Sequence, residues 1–197
     1  MATQYHTVEM VQPDEAGLDF YLTRYKPFRL GALQTDTSCF SSTYAREASF
    51  TDDVWRDRLL LPTAKTFVAV VPETRAIVSS VTVVLGTPTP PELVSRLANE
   101  PPPPRHWTVN AVYTVPKARR QGIAEAVLAA ALQHVEEEAA SEGRSYLVTV
   151  RAAGRNDSAV RMYEKAGFVV EQLRRSEGAV GDGHGLVLLS LYKPCKP

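Results

Sequence analysis

Only two cysteines occur in the 197 residues, Cys39 and Cys195, and they lie far apart and outside any C-x-x-C pair. Two are too few for a disulfide framework and wrongly spaced for a zinc site, so two free thiols in a reducing compartment are expected. Charge of either sign is not in excess. Lysine plus arginine equal aspartate plus glutamate at 22 each, which gives no basic surplus for tracking nucleic-acid phosphates. No apolar run is long enough to cross a membrane, and the first ten residues lack a basic stretch leading into an apolar one, so no secretory leader is expected. A soluble, cytoplasmic chain that binds neither membrane nor nucleic acid is the expectation.

Proline, by contrast, is locally abundant. Pro88, Pro90 and Pro91 on one side and Pro101 to Pro104 on the other bracket the helix-like segment Glu92–Asn99. A domain linker is one reading of such a stretch, and an ordered surface loop at the sheet edge is the one adopted. Elsewhere the pattern alternates. Strands are expected at Tyr5–Val11, Lys65–Val71, Ala76–Leu85, Trp107–Val115, Ser145–Arg151, Phe168–Glu171 and Leu186–Tyr192. The second and third form a hairpin around Pro72-Glu73-Thr74-Arg75. Helical patterns cover Asp14–Leu33 and Asp52–Leu61, the latter capped by Thr51 or Asp52. The clearest helix follows Gly122, where Ile123, Ala124, Val127, Leu128, Ala131, Leu132, Val135 and Ala139 share one face and Gly143 occupies the C-terminal cap position. A last helix, Ser158–Ala166, stops at Gly167. This order predicts one mixed α/β (α+β) domain over residues 1–197 with a central sheet flanked by helices. Within it, residues 1–64, 65–171 and 172–197 form successive regions.

Two segments carry chemistry. The strand ending at Val115 runs through Pro116-Lys117-Ala118-Arg119-Arg120-Gln121-Gly122 directly into the long helix. A glycine turn, outward-pointing amides and a helix dipole make an anion site, and the basic residues add charge. The string is neither a P-loop nor a three-glycine dinucleotide turn; on its own it fits a helix entry with solvated bases equally well. In the second segment, Asn156 or Asp157 can cap the following helix, and Asn156 and Tyr163 lie seven residues, or two turns, apart. Alone, that tyrosine reads as a packed ring with its hydroxyl in water.

Together, V-P-K-A-R-R-Q-G-I-A at 115–124 and N-D-S-A-V-R-M-Y-E-K-A-G-F at 156–168 resemble the GNAT superfamily of N-acetyltransferases. Arg119, Gly122 and Ala124 match the superfamily's [RQ]-x-x-G-x-[GA] turn, and Asn156, Ala159 and Tyr163 match its N-x-x-A-x-x-x-Y pattern. The likeness is close over residues 107–170. It implies a sheet splayed beside the strand before the turn, acetyl-CoA as cosubstrate, and no metal. It further implies pyrophosphate binding by the turn, through Arg119, Arg120 and the amides of Gln121, Gly122, Ile123 and Ala124. The backbones of Tyr113 and Val115 would pair with the pantetheine arm, and Asn156 would lie near it. An amide near Tyr113 would polarise the thioester, and Tyr163 would protonate the leaving thiolate, after direct attack by an amine in a ternary complex.

The resemblance departs at one place. Many members carry a glutamate on the strand before the turn, whereas Trp107–Val115 offers Asn110 and no carboxylate. Glu47 in the acceptor-side region, His106 before the strand, and a water chain are three substitutes the sequence does not separate. Glu47 is otherwise a solvated acid, and His106 an exposed loop histidine. Cys39 lacks a histidine at fixed spacing and is read as a small residue suited to burial. A coenzyme-A-binding module without catalysis is the alternative reading, and an interaction domain built on the proline stretch is a further rival. The acceptor, a small amine or a protein amine, is left open, as is monomer against homodimer.

Overall fold

The computed structural model describes residues 6–98, 102–154, 156–174 and 185–195. Along them run β1 (Thr7–Met10), α1 (Glu15–Phe20), α2 (Lys26–Thr35), α3 (Tyr44–Ala48), α4 (Asp52–Leu60), β2 (Ala64–Val71), β3 (Ala76–Leu85) and α5 (Pro91–Leu97). They are followed by β4 (Arg105–Thr114), α6 (Ile123–Ser141), β5 (Tyr146–Ala153), α7 (Asp157–Lys165), β6 (Val169–Arg174) and β7 (Leu186–Lys193). A π-helical stretch, Tyr21–Tyr25, joins α1 to α2, and 3-10 turns occupy Thr37–Cys39 and Pro116–Ala118. The strands follow the order β1-β2-β3-β4-β5-β7-β6 in one mixed sheet. β4 and β5 are parallel, while β1–β2, β5–β7 and β6–β7 are antiparallel. The expected mixed α/β architecture is present, with boundaries at most three residues from those read in the sequence. Tyr5 and Asn99, the outer ends of two expected elements, lie outside the described residues.

The chain groups into two compact units, one comprising residues 1–83 and 110–131, the other 84–109 and 132–197. In the first, Val11, Tyr21, Tyr25, Trp55, Leu59, Val68, Val70 and Ile77 form a buried cluster. The rings of Tyr21 and Tyr25 stack with centroids 4.4 Å apart, and Trp55 lies 6.2 Å from Tyr21. Side chains cap the helices that frame it. Asp14 accepts from Gly17 N–H, Thr43 from Arg46 N–H and Thr51 from Val54 N–H, each satisfying an amide that the helix start leaves open. Glycine is required at position 17, because a Cβ there would sit 1.8 Å from the Gln12 carbonyl oxygen.

In the second unit, Leu93 and Leu97 of α5 pack on Leu147 of β5, with Tyr192 against them. The proline-flanked segment is thereby a packed helix: Pro90 and Pro91 sit at its start, where the missing N–H costs nothing. Arg96 of α5 makes a two-pronged pair with Glu171 of β6. Gly143, at φ +62°, ends α6 while Arg144 N–H returns to Ala139 O, the αL cap its sequence position predicts. Helix α3 is absent from the sequence reading. Five residues are too few to show a periodic face, and its one buried residue is a glutamate.

Candidate active site

β4 pairs with β5 from Arg105↔Tyr146 to Val109↔Val150, and that ladder goes no further. Immediately beyond, Ala111 takes φ +52°, a left-handed conformation that bends the strand as a bulge does. The backbone of the segment from Ala111 onward is bonded to β3 at three points. Ser80 Oγ donates to Ala111 O at 3.0 Å, Ser79 Oγ to Tyr113 O at 3.0 Å, and Val115 N–H to Val78 O at 2.9 Å. Backbone groups alternate sides along a strand. Residues 111, 113 and 115 are thus turned toward β3, and Val112 and Thr114 present their N–H groups on the other side. This corrects the assignment of Tyr113 and Val115 to a pantetheine arm: Tyr113 O and Val115 N–H are bonded to β3, and Val112 and Thr114 carry the other edge. The error was one residue of register, which periodicity alone cannot detect.

The turn that follows is shaped by positive φ. Arg120 stands at +63° and Gly122 at +75°, both exposed. Gly122 O accepts the N–H of Ala126 at 3.0 Å, so Gly122 caps α6. The amides of Ile123 and Ala124 come before the first intrahelical donor, Ala126 N–H. The helix dipole adds positive potential there, and Lys117 and Arg120 lie exposed beside it. Gln121 is held by its own Nε2, which donates to Lys117 O at 3.1 Å. This donor set fits a pyrophosphate. Arg119 behaves differently from the other bases. Its Nη2 pairs with Asp36 at 2.6 Å, and its Nε donates to Thr114 O at 2.9 Å.

At the second motif Asn156 caps α7, its Oδ1 accepting from Ala159 N–H and from Ser158 Oγ, each at 3.1 Å. Tyr163, two turns on, is 3 % exposed, with its ring 5.6 Å from that of Phe168. Among the described residues no hydrogen bond of its hydroxyl is seen, and burial pushes its pKa above the ordinary tyrosine value. The hydroxyl is therefore held protonated. Gly167, at φ +92°, stops the helix as expected.

The candidate bases are placed otherwise than the sequence suggests. Glu47 is not a solvated acid; it is 0 % exposed. Arg29 grips both its oxygens, Nε at 3.1 Å and Nη2 at 2.8 Å, and Arg58 Nη1 adds a third contact at 3.1 Å. Burial would raise its pKa, but the hydrogen bonds and charge of Arg29, with Arg58, outweigh burial and bring it to about 2. A carboxylate so held has no tendency to take a proton from an amine. His106 is not an exposed loop residue but a buried residue of β4. Its Nδ1 donates to Thr87 O at 2.8 Å, which leaves Nε2 to accept from Thr149 Oγ1 at 2.9 Å. Burial lowers its pKa, and the nearby charge of Arg151 acts the same way against the Thr87 carbonyl. Asn110 is exposed, and so is Cys39, although the sequence reading allowed it to be buried. Asp36 and the hydroxyl chain Thr87–Thr108–Thr149 escaped sequence reasoning, having no motif to mark them. No group of acidic, histidine or cysteine side chains able to hold a metal occurs among the described residues, nor any helix long and apolar enough to cross a membrane.

The β4–β5 ladder that ends at Val109↔Val150 is thus followed, within one stretch of chain, by the basic glycine turn that opens α6. The profile of the Acetyltransferase (GNAT) family matches residues 31–168, and the chain belongs to that family. Among solved structures it is similar to a GNAT acetyltransferase from Streptococcus pneumoniae, at 16% identity over 96% of this chain and 100% of that one, with a TM-score of 0.68. Arabidopsis thaliana NAA60 in complex with acetyl-CoA is similar at 12% identity, over 95% and 98% of the two chains, with a TM-score of 0.66. The spermidine N-acetyltransferase of Vibrio cholerae, in complex with CoA and spermine, is similar at 14% identity over 95% of each chain, TM-score 0.61. At these identities the likeness is one of fold. No curated protein matches the chain.

Proposed function

We propose that the protein transfers an acetyl group from acetyl-CoA to an amine by direct attack within a ternary complex. The observation that carries this reading is the turn. The amides at the start of α6, Gly122 at φ +75° and the exposed Lys117 and Arg120 suit a pyrophosphate, and they follow the strand edge of Val112 and Thr114. In this reading the amides of Gln121 to Ala124 hold the pyrophosphate, while Val112 and Thr114 pair with the pantetheine arm and polarise the thioester carbonyl. Preorganised donors of this kind are the largest single source of catalysis in acyl transfer. Asn156 is committed to its cap and holds the start of α7.

The amine nitrogen attacks the thioester carbon, the C–S bond breaks, and the sulfur leaves with the electron pair. Tyr163 serves the departing sulfur. A free thiol titrates near about 8.5 and tyrosine near about 10, and burial raises Tyr163 further. Full proton transfer to the thiolate thus runs uphill. Its hydroxyl acts first as a hydrogen-bond donor that stabilises the developing charge, and solvent completes protonation. With Glu47 locked as an anion and both His106 nitrogens engaged, the acceptor ammonium loses its proton to water.

Both small and protein amines are candidate acceptors. The similar structures include a spermidine N-acetyltransferase and one named for N-terminal acetylation of ribosomal L7/L12. The test is thiol release from acetyl-CoA with spermidine, simple primary amines and peptides bearing free N-termini. Release with any of them supports transfer. Coenzyme A binding without release across the panel favours the non-catalytic module, and absence of binding ends the proposal.

A further inference from the structure

Arg119 belongs to the anion-binding turn by sequence and leaves it by geometry. Its guanidinium folds back from the start of α6, bonding the Thr114 carbonyl through Nε at 2.9 Å and the Asp36 carboxylate through Nη2 at 2.6 Å. Its Cζ lies 5.6 Å from the centre of the Tyr113 ring, which is itself wedged between Phe28 at 5.6 Å and Phe40 at 5.9 Å. Asp36 is no loose surface acid. It caps α2, its N–H returning to Ala32 O and its carbonyl accepting from Cys39 N–H, both at 3.0 Å. Burial, and then the charge of Asp36, raise the pKa of the Tyr113 hydroxyl. All of these residues lie in the first compact unit.

Electrostatics separates two roles for this arginine. A guanidinium paired at 2.6 Å with a carboxylate is close to neutral as seen by an approaching phosphate. Any anion seated on Arg119 would also meet Asp36. Arg120, exposed at φ +63° one residue on, carries no such burden. The second bond of Arg119 points to the other role. Thr114 is one of the two residues whose N–H edge faces away from β3, and a bonded carbonyl fixes the orientation of the peptide planes on either side of it.

We propose that Asp36 and Arg119 are positioning residues for coenzyme A: the pair braces the Thr114 peptide and the turn against the end of α2, and Arg119 makes no phosphate contact. The proposal rests on the acetyl-CoA reading above. It ties the acceptor-side helix to the donor site, so changes at the C-terminus of α2 are felt in coenzyme affinity.

The two roles predict opposite signs for one substitution. If Arg119 held a phosphate, removing the Asp36 charge would free it and tighten binding of a polyanion. If the pair is a brace, removing either partner loosens binding, and removing both costs no more than removing one. The experiment is calorimetry of coenzyme A with the wild type, Asp36→Ala, Arg119→Ala and the double variant, with melting temperatures measured alongside. The expected result is a loss of about three- to thirty-fold for each single variant and for the double, in line with couplings between contacting groups. Tighter or unchanged binding by Asp36→Ala overturns the proposal, as does a lowered melting temperature with unaltered affinity. Should the alanine variants fail to fold, Arg119→Lys decides. It keeps the charge but cannot bridge Asp36 and Thr114, so affinity falls under the brace and holds under a charge contact. Failure of the wild type to bind coenzyme A would instead defeat the functional reading itself.

Discussion

Arg29 and Glu47 form a two-pronged ion pair with no exposure on the carboxylate, joining α2 to α3 eighteen residues along the chain. Phe40 covers the guanidinium at 4.5 Å, and Arg58, which completes the triad, lies over Phe50 and Trp55 at 5.2 and 4.9 Å. The group is built for order. Removing one member leaves a buried charge without its counterpart, which typically costs about 3–5 kcal/mol. Glu47→Gln is expected to lower the melting temperature strongly, with kcat of the folded fraction preserved. A general-base role would show the reverse, a large loss of kcat in a protein of normal stability.

The same residue sets an acid limit on stability. Its pKa falls from 4.5 in the reference state to about 2 in the fold. The stabilisation is therefore complete above about pH 4.5 and is lost as pH falls toward 2. Denaturant unfolding measured from pH 5 to pH 2 should show this slope in the wild type, and Glu47→Gln should flatten it.

His106 acts in a separate window. Its folded pKa lies below the usual 6.5, chiefly through burial, so the unfolded chain takes up a proton first. Stability is complete above about pH 6.5 and declines as pH falls below it. His106→Gln should weaken that dependence between pH 7 and 5 while leaving the Glu47 window intact. Unfolding midpoints at closely spaced pH values separate the two.

Gly122→Val tests the turn. A β-branched residue at φ +75° is strained whatever room surrounds it. The substitution also obstructs approach to the amides behind it. Loss of two charge-assisted hydrogen bonds corresponds to roughly two to four powers of ten in coenzyme A affinity. Calorimetry on the folded variant checks it, and unchanged affinity would place the coenzyme elsewhere.

Tyr163→Phe isolates one hydroxyl. No internal hydrogen bond is lost among the described residues, and the ring keeps its packing on Phe168, so melting temperature and coenzyme affinity should hold. A fall of about a hundredfold or more in kcat is expected if the hydroxyl serves the leaving sulfur. Full kcat at saturating acetyl-CoA with a good acceptor would remove the tyrosine from the mechanism.

Local patterns were enough for much of this protein. The 3.6-residue face of α6, the stops at Gly143 and Gly167 and the basic turn before Ile123 depend on neighbours in the chain, and so do the caps, which the sequence narrows to Thr51 or Asp52 and to Asn156 or Asp157. What depends on partners distant in the chain was decided only in three dimensions. Whether Tyr113 or Thr114 offers its backbone turns on one residue of register, set by Ser79, Ser80 and Val78 of β3. Glu47 reads as a surface acid until Arg29 and Arg58 are brought onto it, and His106 as a loop residue until Thr149 meets its ring, 43 positions away. Arg119, conspicuous in the motif, is claimed by Asp36, 83 residues earlier. Periodicity and turn chemistry are short-range and legible in order, whereas the pairing and desolvation of a charged group are properties of the packed chain, because only folding determines which charges share a dry environment.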